Sequence, residues 1–232
     1  MLREIVLDTE TTGTDPAGDR IVEIGCVELL NYIPTGRTFH VYVNPQRPVS
    51  QGALQVHGLS DSFLADKPVF AAVAPDFMEF VREARLVIHN AAFDVGFLNA
   101  ELGRCGHPVL EADRAACTLS LARRKHPGAS NSLDALCSRY GIDNSRRTKH
   151  GALLDAEILA EVYIELIGGK QADLGLAIAR NDPRRGDAAI VLPSAARRTP
   201  VSRLTDADRE AHLAFIGTLG GNALWRDYLK EG

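Results

Sequence analysis

Two acidic residues near the start of the chain have a spacing that suits metal binding. Asp8 and Glu10 flank Thr9 in the segment 6–13. In an extended backbone, residues two positions apart point to the same side, so the two carboxylates would lie together. Mg²⁺ prefers carboxylates, waters and substrate phosphate oxygens to an all-protein cage. The pair is therefore a candidate cation site, although acids in a solvated turn give the same pattern.

Two further acids and a histidine lie near the starts of predicted helices. Asp94 lies one turn into a helix, and Asp155 lies near the start of another that follows His150. An open sheet can offer side chains from such places to one shared crevice. A histidine titrates near neutral pH and can take a proton from water. Each residue alone has an ordinary structural explanation, so the prediction of a catalytic site depends on their combination.

The elements that must position these residues follow a mixed α/β pattern. Three early segments rich in β-branched and aromatic residues predict successive strands that begin an antiparallel sheet: 4–7, 21–30 and 37–43. A further buried strand is predicted at 86–89. Apolar residues at helical spacing predict four helices: 70–81, 91–103, 133–140 and 152–167. This order favours a mixed α/β layer fold.

Composition and charge restrict the class of protein. The 232 residues are 45% hydrophobic and 24% charged, which is usual for globular proteins. No signal peptide and no apolar run of about 18 residues is evident, so we expect a cytoplasmic protein. The four cysteines form no Cys-x-x-Cys pair, which predicts reduced thiols. A formal net charge of −4 argues against a broad basic face that grips nucleic acid.

The character of the chain changes after residue 170. Segment 171–200 lacks periodicity and predicts a flexible tether between a catalytic domain at 1–170 and a segment at 201–232. Residues 205–208 resemble a capping box, and the apolar residues that follow share one helical face: Ala211, Phe215, Ile216 and Leu219. Because this segment is too short to form its own core, we predict that it binds a partner.

Four ordered motifs resemble those of the DEDDh 3′→5′ exonucleases: 6–13, 89–94, 131–136 and 150–155. The similarity covers roughly residues 3 to 170, with Val56-His57-Gly58 between the first two motifs. It is strongest to the proofreading subunits of bacterial replicative DNA polymerases.

The resemblance implies a ribonuclease-H-like fold with a two-metal-ion site. Four acids would serve two Mg²⁺ or Mn²⁺ ions: Asp8, Glu10, Asp94 and Asp155. His150 would be the general base, and the product would be a 5′-nucleoside monophosphate. The implied substrate-binding residues are Asp8, Thr9, Glu10, His57 and Asp155. The chain departs from its relatives at Gly52, where close relatives carry glutamate, and at Cys117, where many carry aspartate.

The resemblance also implies partners for the tail. The segment 171–176 resembles a sliding-clamp-binding motif, in which Gln171 would bond at a pocket rim while Leu174 and Leu176 fill it. The residues predicted to bind the polymerase alpha subunit are Phe215, Leu224 and Trp225. The implied partners are thus single-stranded or mismatched DNA 3′ ends, the alpha subunit and the beta sliding clamp, and the tether would raise the effective concentration of nuclease.

Two alternatives remain open. An RNA-trimming exoribonuclease of the same family would carry the same metal acids, which do not specify the sugar. A non-catalytic replisome scaffold would need neither the complete acid set nor His150. Two basic clusters, 123–126 and 146–149, are candidates for contacts to the phosphate backbone, and the second adjoins His150.

Overall fold

The computed structural model describes residues 2–168 and 205–219. The chain forms two compact units, Met1–Leu176 and Ala177–Gly232. Among the described residues, no helix is long and apolar enough to cross a membrane. All four cysteines are free thiols, as predicted.

A five-stranded mixed sheet forms the centre of the first unit. In chain order the strands are β1 (Arg3–Thr11), β2 (Ile21–Leu30), β3 (Ile33–Tyr42), β4 (Arg85–Ile88) and β5 (Ala115–Cys117). Their order across the sheet is β3-β2-β1-β4-β5. β1 to β3 pair antiparallel, whereas β4 is parallel to both β1 and β5. The mixed α/β class and the antiparallel start are therefore confirmed.

The central strand β1 is buried on both faces because each face of the sheet carries helices. Ile5 and Leu7 join one apolar cluster, and Val6, between them, joins a second cluster on the opposite face. This alternation follows from the two-residue period of a strand. β1 is longer than the predicted strand at 4–7 and extends through the candidate metal acids.

Seven helices are described in the first unit: α1 (Gln51–His57), α2 (Asp61–Leu64), α3 (Phe70–Val81), α4 (Ala91–Arg104), α5 (Thr118–Lys125), α6 (Leu133–Tyr140) and α7 (Ala152–Leu166). The bounds of α3 and α6 agree with the prediction. Four elements were not predicted: α1, α2, α5 and β5. β3 begins at Ile33 rather than at the predicted Arg37, so the turn after β2 is tighter than expected.

The described part of the second unit is one helix, α8 (Asp206–Thr218). The predicted capping box is present: the Thr205 side chain accepts a hydrogen bond from the Asp208 backbone, and the Asp208 side chain accepts one from the Thr205 backbone. Phe215 is 60% exposed, whereas Ile216 is buried. The remaining tail residues of the prediction lie outside the described residues: Gln171, Leu174, Leu176, Leu224 and Trp225.

Candidate active site

The parallel pairing of β1 with β4 brings the first two motifs together. Leu7 pairs with Ile88, so the chain that follows β4 enters α4 beside Asp8. Asp94 lies in the first turn of α4 and is only 3% exposed. The carboxyl ends of adjacent parallel strands meet at one edge of a sheet, which is where open α/β sheets place their sites.

Thr9 holds the side chain of Asp94 against β1. Its backbone nitrogen lies 3.1 Å from Asp94 Oδ1, and its hydroxyl lies 2.7 Å from the same oxygen. Both groups donate to the carboxylate. Thr9 therefore links the two acids that flank it on β1 to the acid on α4.

The motif at 150–155 reaches the site because the start of α7 lies against β2. Asp155 is in the first turn of α7 and is 3% exposed. Ligand atoms of Glu10, His150 and Asp155 all lie within 4.8 Å of one another. Asp94 contacts Thr9, and the charges of Asp94 and Asp155 both act on Asp8, so the acids of β1, α4 and α7 lie near one another.

Burial and mutual repulsion perturb these acids. Burial, followed by the charges of Asp94, Glu10 and Asp155, raises the pKa of Asp8 well above its usual range. Burial, followed by the charges of Asp155, Glu23 and Asp94, raises the pKa of Glu10 to about 8. Burial also raises the pKa of Asp94 to about 7. A divalent cation would relieve this repulsion, and carboxylate oxygens are hard ligands, so the cluster fits a divalent metal.

His150 lies at the solvent side of the cluster. Its side chain is 46% exposed, and its Nδ1 lies 3.4 Å from Asp155 Oδ2. Its backbone nitrogen donates to the carbonyl oxygen of Val56 at 3.3 Å. The histidine is thereby held beside the acids while its ring remains accessible to water.

His57 borders a pocket next to the acids. The pocket has a volume of about 480 Å³, and its lining includes Thr9, Glu10, Gly52, His57 and Phe93. Burial lowers the pKa of His57. Its Nδ1 accepts a hydrogen bond from the Leu59 backbone at 3.0 Å, so Nε2 carries the proton and faces Thr11 O at 3.3 Å. His57 is therefore a neutral side chain with a defined tautomer.

The position of Arg147 differs from the expected phosphate contact. Its Nε and Nη2 lie 2.5 and 2.7 Å from the two carboxylate oxygens of Asp155, and its Nη1 lies 2.9 Å from both oxygens of Asp134. Its side chain is only 8% exposed. Arg146 and Lys149 of the same cluster are exposed.

Two further residues of the site, Glu23 and Gly25, gave no local signal in the sequence, and Asp134, inside the motif 131–136, had no assigned role. Glu23 lies opposite Glu10 across the β1–β2 pair, and its side chain contacts His40 at 2.7 Å. Gly25 lies opposite Asp8, and Asp134 is the second partner of Arg147. Each acts through a contact between distant parts of the chain, which periodicity and local motifs do not report.

Known proteins resemble this chain over most of its length. The model of the exonuclease family matches residues 5–163. The DNA polymerase III subunit epsilon of Escherichia coli (strain K12) is 46% identical over 236 residues, which cover 97% of each chain. Its counterpart of Rickettsia felis is 54% identical over 175 residues, covering 74% of this chain and 76% of the relative.

Solved structures of exonucleases resemble this chain as well. Exonuclease X in complex with 5′ overhanging duplex DNA has a TM-score of 0.54 and 28% identity, covering 72% of this chain and 92% of that one. The zinc-bound complex of E. coli ExoI with single-stranded DNA has a TM-score of 0.64 over 74% of this chain and 41% of that one, and at 20% identity it supports the fold alone. The chain belongs to the exonuclease family, together with the DNA polymerase III epsilon subunits.

Proposed function

We propose that the protein is a proofreading 3′→5′ exonuclease that removes mispaired nucleotides from DNA 3′ ends as 5′-monophosphates. The observation that carries the proposal is that Glu10 and Asp155 lie together beside His150 and a pocket of about 480 Å³, with Asp94 held next to them by Thr9. This volume is within the usual range for small-ligand sites, about 300–1,000 Å³. The family assignment supports a nuclease, and the epsilon relatives support proofreading.

Four acids would hold two Mg²⁺ or Mn²⁺ ions: Asp8, Glu10, Asp94 and Asp155. The pKa values of Asp8, Glu10 and Asp94 are raised by burial, and at Asp8 and Glu10 also by neighbouring carboxylates, which fits a site that gains from positive charge. Against the effect of burial, the pKa of Asp155 is lowered, because Arg147 and His150 contact it. When bound, the cations supply Lewis-acid stabilisation of the charge that develops on the phosphodiester.

The protein's own groups bind the terminal nucleotide and move the proton. Thr9, Glu10 and His57 border the pocket for that nucleotide, and neutral His57 adds no charge there. His150 accepts the proton of the attacking water at an unprotonated ring nitrogen. The new bond joins the water oxygen to phosphorus, the bond to the 3′-oxygen of the preceding nucleotide breaks, and that oxygen takes a proton from solvent to become a hydroxyl. A nucleoside 5′-monophosphate leaves.

The tail would deliver this activity to replicating DNA in the cytoplasm. The matched relatives are named as subunits of DNA polymerase III, and the match to the E. coli relative extends over 97% of each chain. Phe215 offers an exposed aromatic ring for the alpha subunit. Leu224 and Trp225, which lie outside the described residues, would bind the same subunit. Gln171, Leu174 and Leu176 would bind the beta clamp. With a net charge of −4, the nuclease depends on such partners to hold the duplex.

A labelled-substrate assay tests the proposal. Purified protein with Mg²⁺ should shorten a 5′-labelled DNA with a mismatched 3′ end faster than a paired one, and Asp8→Ala should abolish the activity. Asp76→Ala, which removes an exposed acid from α3, is the matched control and should keep it. Activity that persists in Asp8→Ala would refute the metal assignment. Faster shortening of RNA of the same sequence would favour the RNA-trimming alternative instead.

A further inference from the structure

The guanidinium of Arg147 lies where the proposed metal site meets the proposed general base. It contacts both carboxylate oxygens of Asp155, and its Nη2 lies 2.8 Å from Nδ1 of His150. The side chain is 8% exposed, so water does not screen these contacts as it would at the surface. One cation therefore faces two groups that the proposed reaction requires.

The contact with Asp155 opposes metal binding. Both oxygens of this carboxylate accept hydrogen bonds from Arg147, one at 2.5 Å and the other at 2.7 Å. A divalent cation bound to Asp155 would lie within a few ångströms of a guanidinium that never loses its charge. Like charges at such distances repel strongly in a partly buried site. Arg147 and a metal ion therefore compete for the same carboxylate.

The contact with His150 opposes proton transfer. Arginine nitrogens only donate hydrogen bonds, and Nη2 lies 2.8 Å from Nδ1 and 3.3 Å from Nε2 of His150, so the shorter contact makes Nδ1 the better acceptor. In the neutral ring the proton then lies on Nε2, and the free lone pair is on Nδ1. His150 cannot take a proton from water at Nδ1 until Arg147 withdraws.

Asp134 provides an alternative place for the guanidinium. Both of its oxygens lie 2.9 Å from Nη1 of Arg147, a nitrogen that does not contact Asp155, and its side chain is 59% exposed. The arginine can therefore leave Asp155 without losing every anionic partner. Asp134 lies on α6, so the movement needs no change in α7.

We propose that Arg147 is an internal counter-cation that competes with the metal ions for Asp155 and occupies the lone pair of His150 until it is displaced. The inference rests on the proposed function, because it takes Asp155 as a metal ligand. Metal binding then does two things together: it fills the acid cluster and frees the base. A purely structural arginine, which only ties residues 143–150 to α6 and α7, would have the opposite effect on metal affinity, since its loss would disorder Asp155.

Metal affinity in the absence of DNA separates the two roles. Mn²⁺ binding to the full-length chain would be measured by calorimetric titration for wild type, Arg147→Gln and Arg147→Lys. Arg146→Gln is the matched control, because it removes the same charge from an adjacent side chain that is 74% exposed. We expect Arg147→Gln to bind Mn²⁺ about fivefold or more tightly than wild type, which is the usual lower range for coupled sites. Arg147→Lys should show a smaller gain, and Arg146→Gln should resemble wild type.

The outcomes distinguish failure of this inference from failure of the proposed function. Unchanged or weaker Mn²⁺ binding by folded Arg147→Gln would overturn the competition. If that variant does not fold, Arg147→Lys decides the question, because a single ammonium cannot reproduce the paired contacts, and the absence of any gain would again overturn it. Wild-type protein that binds no Mn²⁺ would instead refute the proposed metal site itself, and the inference with it.

Discussion

Asp8 on β1 lies directly opposite Gly25 on β2, and the missing side chain of Gly25 is what lets α7 reach the site. A Cβ at Gly25 would overlap with the backbone atoms of Ala152 and Leu153. The start of α7 therefore lies directly on the backbone of β2, next to the strand that carries Asp8. Asp155, in the first turn of α7, comes to the acid cluster for this reason.

Gly25→Ala should displace α7 and separate Asp155 from the acids on β1. Forcing a methyl group into a filled space costs about 1–3 kcal/mol of stability, and a shift of about 1 Å at a catalytic group can cost about 100-fold in rate. We expect lower Tm and a fall in kcat of that order. Gly103→Ala is the control, because nothing lies within 4 Å of its Cβ position. Full activity in Gly25→Ala would contradict this role.

Thr9→Val should weaken the site without unfolding the protein. The valine keeps the shape and the backbone bond to Asp94 but loses the hydroxyl bond of 2.7 Å. Because Thr9 lowers the pKa of Asp94 against the effect of burial, its loss should raise that pKa further. We expect kcat to fall about tenfold, consistent with one lost hydrogen bond to a charged group of about 1.5 kcal/mol. Thr38→Val on exposed β3 should have no effect, and an equal loss in both variants would argue against the assignment.

Stability in EDTA should fall as the pH rises from about 6.5 to 8.5. Glu10 has a folded pKa of about 8 against an ordinary 4.5, and Asp94 about 7 against 3.8. An acid whose pKa is raised in the folded protein binds a proton more tightly there than in the unfolded chain. Its contribution to stability is therefore lost as the pH rises through the folded pKa. Buried His57 and half-buried His89 have lowered pKa values. They act in the opposite direction only below about pH 6.5, where unfolded histidine becomes protonated.

Thermal unfolding across this range, with EDTA or with Mg²⁺, measures the effect. We expect a smaller decline in Tm when Mg²⁺ neutralises the acids. In EDTA, the decline should also be smaller for Glu10→Gln than for wild type. A Tm that rises with pH in EDTA would show that repulsion among the acids does not dominate.

Gly52→Glu should restore a sugar contact that close relatives are expected to make. Gly52 lines the pocket, and nothing lies within 4 Å of its Cβ position, so a longer side chain fits. A carboxylate there can accept a hydrogen bond from the terminal hydroxyl, worth about tenfold in KM for a charged acceptor. We expect lower KM with little change in kcat. Gly103→Glu adds the same charge away from the pocket, and a KM that falls equally there would point to a general charge effect.

Phe215→Ala should weaken binding to the polymerase alpha subunit while leaving nuclease activity unchanged. Its ring is 60% exposed on α8, and exposed aromatic residues are frequent hot spots worth about 2 kcal/mol or more. Affinity would be measured with purified alpha subunit. Val109→Ala, at a side chain that is 59% exposed in the first unit, is the control. Unchanged affinity in Phe215→Ala would exclude this ring from the interface.

The sequence alone determined the features that depend on local pattern. The two-residue spacing of Asp8 and Glu10 predicts their common face, and the three-to-four spacing of apolar residues predicts α3 with its observed bounds. The ordered motifs predict the family. The elements α1, α2 and β5 were not predicted because segments of seven residues or fewer hardly repeat a period. The helix α5 was not predicted because its last turn consists of basic residues that interrupt the apolar pattern.

Only the tertiary structure decided how the distant groups meet. The parallel register of β1 with β4 brings the Asp94 side chain into contact with Thr9. The absence of a side chain at Gly25 lets the start of α7, which carries Asp155, pack against β2. The tertiary structure also places Arg147 in contact with Asp155 of the acid cluster, whereas the sequence predicted a contact with a phosphate. No local pattern contains these relationships, because an isolated charge seeks whichever partner the fold brings within a few ångströms, and burial then sets the strength of the pairing.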